Sequence, residues 1–223
     1  MTPAPFQLRS KYPVLASNLE LVPDRSVAIN RSAIAPVSRR ETRMRQPFQR
    51  TFVRRSMLPL AADQLWCIEQ GVVRTLAYSD RDGMPMVLGF WGEGSVVGLP
   101  LAGDVALQVE CLTKVRASLV ATDIFADPQV LLSHLQQQNK LMWILRRGRI
   151  SDRLLDFLLW FAQKFGYSNP QGWCVPSLLT HQELAETLNC SRVTVTRLLN
   201  EAVKNGQLVR SHGDLMIPHT VGE

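Results

Sequence analysis

Between residues 46 and 127 the chain alternates short β-branched or aromatic runs with turn signals: RTFVRR, QLWCIEQG, VVRTLAYSDRDGMPMVLGFWGEG, SVVGLPLAG, ALQVECLT and VRASLVATD. Runs of this texture fit strands, and their close spacing predicts a β-sandwich or roll. Ser79-Asp80-Arg81-Asp82-Gly83 separates two alternating runs and predicts a hairpin loop in which Gly83 takes a positive φ. Past Asp127-Pro128 the period becomes helical. Leu131, Leu135, Gln138, Met142 and Leu145 recur at spacings of 4, 3, 4 and 3, the seam of a two-stranded coiled coil. Such a seam calls for a partner helix; the other reading is an amphipathic helix packed on its own domain. DRLLDFLLWFAQKFG predicts a second, strongly apolar helix closed by Gly166.

The stretch LTHQELAETLNCSRVTVTRLLNEAVKNGQLVRSHGDLMIP, residues 179–218, carries the densest signal. Thr180 followed three residues later by Glu183 is a capping box, and Leu184, Ala185 and Leu188 give that helix an apolar face. Asn189-Cys190-Ser191 reads as a short turn, with Ser191 capping a second helix whose Val195, Leu198, Leu199 and Val203 face inward. That arrangement is a helix-turn-helix, which docks the early turns of its second helix in the major groove. Arg192, Val193, Thr194 and Arg197 are the candidate base-reading residues: arginine can bridge guanine O6 and N7, and valine and threonine methyls can meet thymine methyls. Thr180, His181, Gln182, Ser191, Thr196, Lys204, Arg210 and His212 are the candidate backbone contacts. The hairpin turning at His212-Gly213-Asp214 adds a wing. The bland alternative is a helical hairpin or winged module that binds another protein.

Charge alone decides little. The chain has 223 residues and a formal charge of +6. Residues 1–55 hold 11 Lys/Arg against 3 Asp/Glu, which is +8 and leaves −2 for the rest. Residues 1–45 carry prolines at 3, 5, 13, 23 and 36 and end in SRRETRMRQ, so they are expected to be a disordered basic extension that meets DNA, if at all, through phosphates. Cysteines stand at 67, 111, 174 and 190 with no C-x-x-C pair, which argues against zinc, redox chemistry or an iron–sulfur cluster and predicts buried thiols. Neither a secretory signal nor a membrane-length apolar run is visible, so a cytoplasmic protein with no membrane partner is expected.

Over about residues 46–218 the chain resembles the CRP/FNR superfamily of bacterial transcription regulators. The resemblance rests on Asn189 to Arg197, on SHG in the wing, and on QGVV, DRDG and GFWGEGSVVG in the roll. SRVTVTRLL is most similar to the cyanobacterial global nitrogen regulators, which implies a palindromic operator of the GTA-spacer-TAC type. The family implies an effector-binding roll, a dimerising helix, a winged helix-turn-helix and RNA polymerase as a further partner. Cyclic-nucleotide members grip phosphate with Arg-Ser after a Gly-Glu loop. Here no Lys or Arg lies between Arg81 and Lys114, so cyclic AMP is disfavoured. The nitrogen regulators hold 2-oxoglutarate partly through an arginine on the dimerising helix; His134 stands in its place and would offer positive charge only when protonated. Val97, Gly98, Leu99, Leu101 and His134 form the candidate effector pocket. A haem ligated by one His or Cys stays open.

The expected class is α+β: an N-terminal β-roll of the cyclic-nucleotide-binding-like jelly-roll type at 46–127, a dimerisation helix at 128–150 and a winged helix-turn-helix at 151–223. Residues 46–127 contain no histidine with which to build a cupin-type metal site, and no nucleophile–base motif is present, so no catalytic residue, metal or resident cofactor is expected. The expected function is sequence-specific DNA binding by a homodimer, with the same scaffold as a protein-interaction module for the alternative.

Overall fold

The computed structural model describes residues 48–78, 83–103, 105–121, 128–211 and 214–219. The expectations for 1–45, for Ser79 to Asp82, for Asp127 and for His212 and Gly213 lie outside these residues. Strands β1 (Gln49–Phe52), β2 (Leu65–Gln70), β3 (Val73–Tyr78), β4 (Pro85–Trp91), β5 (Val96–Val97), β6 (Leu107–Cys111) and β7 (Val115–Val120) build a roll. It has a four-stranded sheet in the order β1-β7-β2-β5 and a three-stranded sheet in the order β4-β3-β6, with antiparallel pairing throughout. A 3-10 turn at Leu99–Leu101 follows β5. Gly83 leads into β4 at φ 65, the left-handed value expected of it.

Period-two geometry explains how the roll meets the rest of the chain. Neighbouring residues on a strand point to opposite faces, so Trp91 enters the roll core with Trp66, Val73, Val109 and Val115, while Phe90 enters the helical core. There its ring lies 5.4 Å from Phe157 and 5.5 Å from Phe161.

Helix α1 (Pro128–Leu145) begins on proline, whose missing N–H costs nothing in the first turn. Its inward face is Gln137, Leu141 and Ile144, with Gln137 donating from Nε2 to the Phe90 carbonyl. This inward face lies one residue away from the seam anticipated for a partner, whose Leu131, Leu135 and Met142 are 39, 57 and 51 % exposed, with Gln138 exposed too. Leu145 departs from it, because it packs against the chain's own core. The helix also stops short of 150. Arg146, Arg147, Gly148 and Arg149 break it, since a glycine and three like charges oppose continuation, and α2 (Ile150–Phe165) starts afresh.

Gly166 ends α2, but in an extended conformation (φ −101) rather than the left-handed one usual for a closing glycine. The reason is space: a Cβ there would stand 2.1 Å from the Cys174 carbonyl oxygen. That carbonyl belongs to a hairpin the hydrophobic pattern did not announce, β8 (Tyr167–Asn169) and β9 (Gly172–Val175). Asn169 closes its turn by accepting from the backbone N–H of Gln171 and Gly172 at 2.9 Å each. After helices α3 (His181–Leu188) and α4 (Arg192–Lys204), strands β10 (Val209–Ser211) and β11 (Asp214–Pro218) complete a sheet in the order β10-β11-β9-β8. No helix among the described residues is long and apolar enough to cross a membrane.

Candidate nucleic-acid interface

Both helices of the helix-turn-helix start on side-chain caps. Thr180 accepts from Glu183 N–H at 3.2 Å and the Glu183 carboxylate accepts from Thr180 N–H at 2.6 Å, so the capping box is closed in both directions. Asn189 then turns the chain in the left-handed region (φ 52), a place asparagine tolerates better than most residues. Ser191 Oγ accepts from Thr194 N–H at 3.1 Å and caps α4. Val195, Leu198, Leu199 and Ala202 are buried, and Val203 half-buried, against Leu184, Ala185 and Leu188 of α3.

This packing turns Arg192, Val193 and Arg197 outward near the N-terminal end of α4, with Thr194 half-buried beside them. Val193 is 78 % exposed, although a valine gains nothing for the fold in that position. The Arg197 guanidinium pairs with Glu201 at 2.6 Å, four residues on and exposed, so releasing it costs about 1 kcal/mol or less. Thr194 exchanges a hydroxyl contact with Ser191 at 2.9 Å.

Of the candidate backbone contacts, Thr180, Gln182 and Ser191 are exposed around the same end of the motif. His181 and Thr196 meet each other, Nδ1 to Oγ1 at 2.8 Å, and Thr196 also donates to the Arg192 carbonyl at 3.0 Å, so their hydroxyl and ring serve first to lock α3 on α4. Arg210 sits on β10 and donates to Asn200 Oδ1 at 2.8 Å. Lys204 is not brought together with the others: at 1.5 Å per residue it lies about 18 Å along α4 from Arg192.

Two arginines that the sequence pattern did not single out adjoin this surface. Arg54, just past β1, donates to the Leu178 carbonyl at 2.9 Å, and Arg55 lies 3.9 Å from the Glu183 carboxylate. Behind them, Arg74 of β3 is buried and bridges Glu110 at 2.7 Å to Glu186 of α3 at 2.8 Å, with Glu183 at 3.8 Å. The roll is thereby ion-paired to the first helix of the motif.

The candidate effector pocket is a cavity of about 240 Å³ between the roll and α1. Val97, Gly98, Leu101 and His134 line it together with Thr75, Trp91 and Gln138. Leu99, the first residue of the 3-10 turn, is not part of that lining. His134 stacks on Trp91 with ring centroids 3.9 Å apart and planes 11° from parallel. Burial pushes its pKa down, which disfavours the protonated form that alone would offer an anion a positive charge. All four thiols are free; Cys111 and Cys174 are buried and Cys67 and Cys190 half-buried, and burial pushes the Cys67, Cys111 and Cys190 thiols up.

Residues 152–220 match the family model described as the Crp-like helix-turn-helix domain. The chain is 33 % identical to regulatory protein CysR of Synechococcus elongatus over 167 residues, which is 74 % of this chain and 81 % of that protein. It is 34 % identical to the global nitrogen regulator of the same organism over 84 residues, 38 % of this chain and 37 % of that one. A CRP-family transcriptional regulator from Thermus thermophilus shares the fold at a TM-score of 0.62 and 20 % identity, over 76 % of this chain and 92 % of that one. With its roll, long helix and capped helix-turn-helix in that order, the chain belongs to the CRP/FNR family of DNA-binding transcription regulators.

Proposed function

We propose that the chain reads a palindromic operator as a homodimer, with α1 as the dimer seam and the first turns of α4 in successive major grooves. Four segments divide the work: a basic extension at 1–45, the roll at 46–127, the dimerisation segment at 128–150 and the winged helix-turn-helix at 151–223. The observation that carries this reading is Val193, 78 % exposed and flanked by exposed Arg192 and Arg197. An apolar side chain held in water between two cations has its use in a complex, where the valine meets a thymine methyl and Arg197 a guanine. Thr180, Gln182, Ser191, Arg210 and His212 hold the phosphates around them. By family analogy the complex contacts RNA polymerase, and the protein works in the cytoplasm, where its DNA is, without catalysing a reaction.

The roll is not a cyclic AMP receptor in this reading. Among the described residues the cavity lining contains no lysine or arginine, so a phosphate there would be buried without a counter-charge from them. A neutral His134 extends the same objection to the dianion 2-oxoglutarate. About 240 Å³ is also below the roughly 300–1,000 Å³ usual for organic ligands, which counts against haem.

Selection of bound duplexes from a library with a randomised half-site tests the reading of α4. Arg197→Ala should cost about 1–3 kcal/mol and relax discrimination at one guanine. Val193→Glu should shift preference toward a C·G pair, since a carboxylate accepts from the cytosine amino group and repels phosphate. Identical enriched motifs for the wild type and Val193→Glu would mean that Val193 does not face a base edge.

A further inference from the structure

We propose that the roll itself supplies a DNA-backbone contact: the turn Val53 to Ser56, whose Arg55 extends the phosphate-facing edge of α3 beyond the helix-turn-helix. The inference rests on the reading of α3 and α4 given above.

Three observations converge on this turn. Arg55 occupies the left-handed region at φ 68, which suits glycine or asparagine and strains a bulky residue. Its backbone is held there by Arg55 N–H donating to the Cys111 carbonyl at 2.7 Å, with Ser56 N–H and Oγ both donating to the Val53 carbonyl. The guanidinium does little for the fold in return. Its side chain is 58 % exposed, and its one ion pair among the described residues is a 3.9 Å approach to Glu183, a carboxylate already engaged by the Thr180 cap.

The second observation is position. Arg55 lines an open cleft of about 540 Å³ together with Thr180, His181, Gln182 and Arg192. Arg54 ties the same turn to the loop entering α3 through the Leu178 carbonyl. The third is charge. Glu183 and Glu186 also border the cleft, but their side chains are 6 and 12 % exposed and both face the buried Arg74. The charges left pointing outward are therefore Arg55 and Arg192. A planar guanidinium beside a helix start, continuous with the first residue of α4, suits a phosphodiester oxygen of duplex DNA.

Fluorescence anisotropy of the full chain with a labelled random-sequence duplex, over about 50–200 mM salt, tests this. Arg55→Gly and Arg55→Asn remove the charge and relieve the backbone, so thermal melting should show a fold at least as stable as the wild type. Both should bind roughly tenfold more weakly near 0.1 M salt, with a salt slope shallower by about one per protomer, and Arg55→Lys should keep the wild-type slope. A wild-type slope in Arg55→Gly overturns the proposal. Tighter binding by Arg55→Gly overturns it too, because Arg55 would then be a restraint on α3 through Glu183. If the wild type shows no salt-dependent binding, the reading of α3 and α4 falls along with it.

Discussion

Arg74 and Glu186 stand 112 residues apart in the chain and meet at 2.8 Å, one on a strand of the roll and the other on the first helix of the helix-turn-helix. The arginine side chain is 7 % exposed and also holds Glu110. Removing one member of such a pair strands the others in a poor solvent. Arg74→Met should cost about 3–5 kcal/mol in urea unfolding. Replacing Glu110, Glu183 and Glu186 by glutamine in the same protein should recover most of that loss; a cost under about 1 kcal/mol would mean that water reaches the cluster.

His134 gives the fold a pH dependence of known sign. Burial lowers its pKa below the ordinary 6.5, so the unfolded chain binds the proton more readily than the folded one. The stability it contributes is complete above 6.5 and is lost as pH falls through the folded value. Melting temperatures measured downward from neutral pH should decline less steeply for His134→Gln than for the wild type. Equal slopes would show that the ring titrates as if in water.

The exposed side of α1 predicts the oligomeric state. Leu131, Leu132, Leu135, Met142 and Trp143 are each 39 to 57 % exposed along one helix, an apolar stripe that a monomer gains nothing by displaying. Leu135→Glu with Met142→Glu should sediment as a monomer and lose tight operator binding, leaving the secondary structure seen by circular dichroism unchanged. An unchanged dimer would place the interface elsewhere.

Gly166 is required for space. Adding a methyl group there drives a Cβ against two backbone carbonyl oxygens, of Cys174 at 2.1 Å and Ala162 at 2.7 Å, neither at the end of a flexible side chain. Gly166→Ala should destabilise by about 1–3 kcal/mol, and near-wild-type urea unfolding would show that the β8–β9 hairpin can shift freely.

Strands β1 to β7, the helical period of α1 and both caps of the helix-turn-helix were legible in the sequence because each is local: alternation, a recurrence every three or four residues, or a hydroxyl next to the helix it starts. The hairpin at Tyr167 to Val175 was hidden because its strands are three and four residues long, too short to show a period. Its signal was Asn169-Pro170-Gln171-Gly172, a turn. Arg74 looked like one polar residue among apolar neighbours in VVRTLAY, and nothing local marks its partners in the distant α3. Arg54 and Arg55 read as the end of a strand, since a left-handed arginine has no signature of its own. Leu145 turns to the chain's own core because spacing places a residue on a helix face, but which layer covers that face is a tertiary fact.

Glu183 closes the capping box of α3 and at the same time faces Arg74 and Arg55 of the roll. One carboxylate thus serves two masters, and fraying the first turn of α3 withdraws the group that the roll holds. Lifting the roll away likewise unsettles the start of the helix. The roll and the helix-turn-helix are therefore joined in cooperativity as well as in space, and the start of α3 cannot loosen without the roll registering the change.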